Sequence, residues 1–174
     1  MGDATLPVMS RKTAIALLLT FALMVGSCSY GPAPPGQPGS VPVLKVSDGD
    51  TVHVLYKGED ERVRLIGVDT PEVDWHGGRA ECFGAQAGEY ARRRLSGRSI
   101  RLRFDVELRD RFRRLLAYVY VGNELFNLTL VRLGYARADP IRPDVRLATA
   151  FAAAEREARA SGRGLWSACP DQAP

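Results

Sequence analysis

The sequence predicts a mainly β domain with α elements: a small closed barrel of five strands carrying three helices. Three observations predict it. Apolar and polar residues alternate in short runs between residues 43 and 121. Turn formers punctuate those runs at Asp48-Gly49-Asp50, at Pro71 and at Gly122-Asn123. Apolar residues also recur at helical spacing in three places, each followed by a glycine.

The elements follow in order. Residues 43–56 read as two strands around the Asp48-Gly49-Asp50 turn, with Val52, Val54 and Tyr56 on one face. Residues 61–68 read as one strand, with Val63 and Leu65 opposite Arg62, Arg64 and Ile66, and Pro71 stops it. Residues 74–84 are a loop rich in turn formers. Phe83, Ala87, Tyr90 or Ala91, and Leu95 then mark a helix that ends before Gly97. Ile100, Leu102 and Phe104 alternate with Arg101 and Arg103 in a fourth strand, and residues 115–121 form a fifth. Asn127 is expected to cap a short helix that ends at Gly134 rather than to serve as a glycosylation acceptor. Leu147, Phe151, Ala154 and Ala158 mark the last helix, closed by Gly162.

The 174-residue chain has 45% hydrophobic and 25% charged residues, which excludes bulk disorder, collagen and coiled coil. One apolar run stands out, so a polytopic membrane protein is excluded too. That run, residues 13–25, follows Arg11 and Lys12. Its helix would reach about 20 Å, short of a bilayer core of about 30 Å. It therefore reads as an export signal, residues 1–27. Residues 28–42 form a Pro/Gly-rich linker, in which eight of the twelve residues from Gly31 to Pro42 are Gly or Pro. The fold occupies residues 43–169, and residues 170–174 are a short tail.

Three cysteines occur, Cys28, Cys82 and Cys169. If Cys28 is consumed at the signal boundary, Cys82 and Cys169 remain, either as a pair in an oxidising compartment or as two free thiols. Closing their 87-residue loop would contribute about 4–5 kcal/mol at most. The net charge is +4, carried by 21 Arg and only 3 Lys. Guanidinium forks suit phosphate, so a polyanionic partner is one reading and coding bias the other.

Asp50, Asp69 and Glu72 fall at strand ends or tight turns, and Arg64 and Arg114 in neighbouring strand-like segments. Carboxylates and carbonyls suit a hard cation. His53 and His76 lie 23 residues apart and form no zinc motif. Phosphoryl transfer needs such a set: cationic groups to neutralise the phosphate and a base to orient water.

Asp48-Gly49-Asp50-Thr51, the run from Arg64 to Glu72, the run from Asp110 to Tyr118 and Gly164-Leu165-Trp166-Ser167 occur in this order. Through these four motifs the chain resembles the staphylococcal (micrococcal) nuclease, or thermonuclease, family, over about residues 43–168. The resemblance implies a five-stranded OB-fold barrel. It implies Ca²⁺ held by Asp50, Asp69 and the Thr70 carbonyl, with Glu72 nearby through water. Arg64 and Arg114 would grip the scissile phosphate and Glu72 would act as base, making Arg64, Glu72 and Arg114 the catalytic set. The expected reaction is hydrolysis of DNA and RNA at the P–O5′ bond, leaving 3′-phosphate ends.

Exported members that resemble this chain pair cysteines at the places of Cys82 and Cys169. Val25-Gly26-Ser27-Cys28 resembles a lipoprotein signal, in which Cys28 carries acyl chains, and an ordinary signal peptide is the alternative. A lipid-anchored envelope protein, or else a secreted one, is thus expected, and a monomer. Two departures stand out. Arg113 occupies a place where the family pattern has Gly, and Gly permits backbone shapes that Arg disfavours. Pro140 and Arg142 stand near places where relatives with a strong nucleotide pocket carry Tyr. Phe112 keeps an aromatic face for stacking an unstacked base, so single strands are the expected substrate. The rival readings are a non-catalytic OB-fold binding module and a structural envelope lipoprotein.

Overall fold

The computed structural model describes Met1 and residues 39–73 and 80–169. The expected signal segment, most of the linker, Cys28 and His76 lie outside the described residues. No helix among the described residues is long and apolar enough to cross a membrane.

The barrel is built from β1 (Ser40–Val46), β2 (Thr51–Tyr56), β3 (Glu59–Leu65), β5 (Ser99–Arg103) and β6 (Leu115–Val121). β1 pairs antiparallel with β2 and β5, β2 with β3, and β5 with β6. A parallel pairing of β3 with β6 closes the ring, in the register Val63–Leu115, Arg64–Leu116 and Leu65–Ala117. Closure leaves no edge among the five strands, which removes the exposed ladder that an open sheet would present. Alternation fills the interior: Val52, Val54, Val63, Ile100, Leu115, Ala117 and Val119 are all buried.

The strand expected over residues 61–68 is two strands. β3 ends at Leu65, the chain turns at Ile66, and β4 (Gly67–Asp69) leaves the barrel to pair with β8 (Arg137–Asp139). Gly67 takes φ +77° at this corner. The bend reverses the expected facing of Ile66, which is buried instead of outward. β8 and the two-residue β7 (Glu124–Leu125) were too short to show as periodic runs.

Three helices stand where the spacing places them: α1 (Gly84–Leu95), α2 (Phe126–Arg132) and α3 (Ala148–Ala160). A single turn, α4 (Leu165–Ala168), follows. Asn127 does not cap α2, whose N-cap is Leu125. It lies within the first turn, fully buried. Its Oδ1 accepts from Val119 N (2.8 Å), and its Nδ2 donates to Ile66 O (2.9 Å) and Ala117 O (3.3 Å). The side chain thereby sews α2 to β6 and to the β3–β4 corner. Preference for a helix start placed Asn127 correctly in the chain, but tertiary carbonyls compete for its amide. A stack of Phe83, Tyr135, Tyr90 and Phe126 joins α1 to α2, with neighbouring ring centroids 4.3–6.1 Å apart.

Cys82 and Cys169 are joined, with Cα atoms 6.0 Å apart. The bridge links the segment before α1 to the end of α4.

Candidate active site

The site lies where the β1–β2 turn meets the β3–β4 corner. Ser47 N and Asp48 N both donate to Thr51 O, and Asp50 N donates to Asp48 Oδ1 (3.0 Å), so the turn is tight. Gly49 is required by space: a Cβ there would come within 2.6–2.8 Å of the Thr70 side chain. That approach brings the Thr70 backbone against Asp50. Thr70 N and Thr70 Oγ1 donate to Asp50 Oδ2 at 2.9 and 3.0 Å, and Thr51 Oγ1 donates to Asp50 Oδ1 at 3.1 Å. Asp50 and Thr70 are buried.

Arg64 joins the same group from β3. Its Nη1 is in close ion-pair contact with Asp50, and its Nη2 donates to Asp69 Oδ1 at 3.1 Å. Burial opposes the Arg64 charge, but the Asp50 and Asp69 carboxylates outweigh it and hold the pKa above the usual guanidinium range.

Asp69 ends β4, opposite Arg137 of β8, and Glu72 follows after Pro71. Burial, with the Asp50 and Asp139 charges, raises the Asp69 pKa despite Arg64. Burial and the charges of Asp50, Asp69 and Glu81 raise that of Glu72. Asp48 is pushed up to about 6 by burial and the neighbouring Asp50. Negative charge is therefore in excess at this corner, where Arg64 pairs with both Asp50 and Asp69.

Arg114 reaches the site from the loop before β6, whose Leu116 lies beside Arg64. Asp110 shapes that loop. It accepts from Phe112 N and Arg114 N, both at 2.9 Å, through Oδ1, and from Arg114 Nε at 2.7 Å through Oδ2. Burial works against its charge, yet these donors hold its pKa below the usual carboxylate range. Arg113 takes φ +67°. The loop thus keeps the left-handed shape that glycine would adopt easily, with an arginine in it.

A groove of about 430 Å³ runs from Arg64 and Arg114 past Phe112, Asp139 and Ile141. Phe112 is 55% exposed, and the guanidinium carbons of Arg111 and Arg114 lie 4.7 and 5.4 Å from its ring centroid. Pro140 and Arg142, the places noted for missing tyrosines, are exposed and do not line this groove; Ile141 between them does.

The structure brings Asp50, Arg64, Asp69 and Thr70 into one cluster, sets Glu72 at its rim and places Arg114 and Phe112 along the adjoining groove. His53 lies apart, its Nδ1 2.8 Å from Asp60 Oδ1. Among the described residues no group of three or more His, Cys, Asp or Glu side chains closes around one point. The Asp50 and Asp69 carboxylates remain, oxygen donors held together through Arg64 at a corner with excess negative charge. That donor set fits a hard divalent cation that keeps several positions for water and substrate. Sequence reasoning gave no role to Asp110, although it opens the third motif four residues before Arg114. Glu81, which contacts the Glu72 backbone, carried no sequence signal.

The family model described as "Staphylococcal nuclease homologue" matches residues 62–168. The thermonuclease of Staphylococcus hyicus is 36% identical over 125 residues, covering 72% of this chain and 74% of the relative. The thermonuclease of Staphylococcus intermedius is 38% identical over 124 residues, covering 71% and 74%. Endonuclease YncB of Bacillus subtilis is 32% identical over 130 residues, covering 74% and 62%. With a matching barrel beneath these similarities, the chain belongs to the staphylococcal nuclease family.

Proposed function

We propose that the chain is a Ca²⁺-dependent nuclease that hydrolyses single-stranded DNA and RNA at the P–O5′ bond and leaves 3′-phosphate ends. One observation carries the reading: Asp50, Asp69 and the half-buried Arg64 cluster at one end of a groove that holds a second guanidinium, Arg114, and an exposed aromatic ring. Its relatives include two thermonucleases and an endonuclease.

Asp50, Asp69 and the Thr70 carbonyl would hold the cation. Bound there, Ca²⁺ supplies positive charge to the phosphoryl oxygens. Arg64 and Arg114 bind the scissile phosphate, and the phosphate competes with Asp50 and Asp69 for Arg64. The planar fork lets each arginine donate two bonds to one phosphate, which an ammonium cannot match. Glu72, at the rim, takes the proton of the attacking water. The 5′-oxygen leaves in line with that attack. Phe112 stacks a base that single strands present freely and duplexes do not.

Export and anchoring belong to the same proposal. The signal segment and Cys28 support a lipid-anchored envelope protein, with secretion as the alternative. Metabolic labelling with a radioactive fatty acid checks it, and loss of label in Cys28→Ala is the expected result.

The test of activity is cleavage of heat-denatured DNA by the disulfide-intact protein with Ca²⁺, then after chelation. Cleavage that stops with the chelator is expected. Binding of DNA by folded protein without cleavage would assign the chain to the non-catalytic modules.

A further inference from the structure

Glu72 is exposed, and a side chain at a rim gains nothing from packing to hold its place. Its backbone, however, is held closely. Glu72 N donates to Glu81 Oε2 at 3.2 Å, and Glu81 N donates to Glu72 O at 3.1 Å. The two bonds close a ring between residues nine apart in the chain. Gly84, the first residue of α1, abuts the same carbonyl. A Cβ at Gly84 would stand 2.2 Å from Glu72 O, and Gly84 N donates to Glu81 O at 3.0 Å.

Glu81 is itself exposed, so something else must fix it. The next residue, Cys82, is bridged to Cys169. Cys169 is buried, and its N–H donates to Leu165 O at 2.9 Å. Leu165 is buried and its N–H donates to Gly134 O at 2.9 Å, which ties α4 to the body of the domain. A continuous set of contacts therefore runs from the loop after α2, through α4 and the disulfide, to Glu81 and then to Glu72.

We infer that Glu81 is a positioning residue for Glu72, and that the Cys82–Cys169 bridge is the strut holding Glu81 in place. The inference rests on the reading of Glu72 as the group that takes the proton of the attacking water. A proton acceptor displaced by a fraction of its hydrogen-bond length loses rate while phosphate binding, which Arg64 and Arg114 supply, is unaffected. The disulfide in this chain thus serves turnover as well as stability.

The experiment measures kcat and KM on heat-denatured DNA for the full chain and its variants, each below its own melting temperature. Affinity for a short single-stranded oligonucleotide is measured alongside. Glu81→Ala removes the acceptor of the Glu72 N–H and is expected to lower kcat roughly ten- to hundredfold, with KM and oligonucleotide affinity held within about twofold. Glu81→Gln keeps an amide oxygen for that N–H and is expected to retain most of kcat. Cys82→Ser/Cys169→Ser is expected to lose kcat as Glu81→Ala does, and adding Glu81→Ala to it is expected to cost little more, because both act through one contact.

Wild-type kcat in Glu81→Ala would overturn the inference. So would Glu81→Gln falling as far as Glu81→Ala, which would assign the effect to charge. Losses that multiply in the combined variant would remove the bridge from the path to Glu72. Glu72→Gln separates the two readings. A full rate in that variant overturns the role of Glu72 itself, whereas a slow Glu72→Gln beside a full-rate Glu81→Ala overturns the positioning inference alone.

Discussion

Asn127→Ala is expected to destabilise the domain heavily, and the amount follows from three bonds. The carboxamide is fully buried. Its loss leaves Val119 N–H without its acceptor and Ile66 C=O without its donor. Ala117 O, the third partner, keeps the N–H of Ile66 at 3.0 Å and is not orphaned. A buried orphaned group costs about 1–3 kcal/mol, so the two together cost about 4 kcal/mol. For a domain of this size that lowers Tm by about 10–15 °C. Asn127→Asp tests the direction of the bonds, since a carboxylate can still accept from Val119 N but cannot donate to Ile66 O. It is expected to be destabilised as well, with a buried charge added. Urea unfolding of the disulfide-intact protein, followed by fluorescence of Trp75 and Trp166, measures both. A loss below about 1 kcal/mol in Asn127→Ala would refute the reasoning, because water or a shifted backbone would then be satisfying the orphaned groups.

Three more outcomes are expected. Arg64→Lys should lose at least about 10²-fold in kcat, the scale of one transition-state donor, and steady-state cleavage of denatured DNA checks it. Arg113→Gly should leave activity intact and raise stability by up to about 1 kcal/mol: relief of the left-handed backbone is worth about 1–2 kcal/mol, and the extra freedom of glycine in the unfolded chain takes back about 0.5–1. A destabilised Arg113→Gly in thermal unfolding would show that the Arg113 side chain makes a contact worth more than the strain. Asp110 has a lowered pKa in the folded state, so its contribution is fully present above the ordinary value of 3.8 and is lost as pH falls through the lower folded value. Acid unfolding should therefore steepen below that pH in the wild type and less so in Asp110→Asn, and identical acid limbs would remove Asp110 from the account.

The barrel was legible because its strands are half buried and read with a period of two. Val52 and Val54, or Val63 and Leu65, announce an inner face by alternation alone. The corner at Ile66 was not legible by the same means. Alternation runs straight through residues 61–68, and only the pairing of Gly67–Asp69 with residues 137–139, seventy positions away, reveals that the strand leaves the barrel there. Asn127 shows a related limit. Local chemistry marks it as a helix-start residue, but the partners that decide its role are at 66, 117 and 119. Sequence periodicity reports burial, and it does not report which carbonyl a buried amide will meet.

The candidate site divides along the same line. Asp50, Arg64, Asp69 and Thr70 lie on segments short enough for motif spacing to hold them together, so the residues could be named before their geometry was known. The residues that hold this set in place could not. Asp110 shapes the Arg114 loop through two backbone N–H groups and one guanidinium N–H, and Arg113 completes that loop with a backbone that its residue type disfavours. The cost of that backbone is small beside the three bonds Asp110 makes, and this is why an arginine can stand where a glycine is the easier choice. Catalytic side chains are limited by chemistry to a few residue types. Their supports are limited only by geometry, so different side chains can supply the same loop, and a motif reading finds the first kind while a structure is needed for the second.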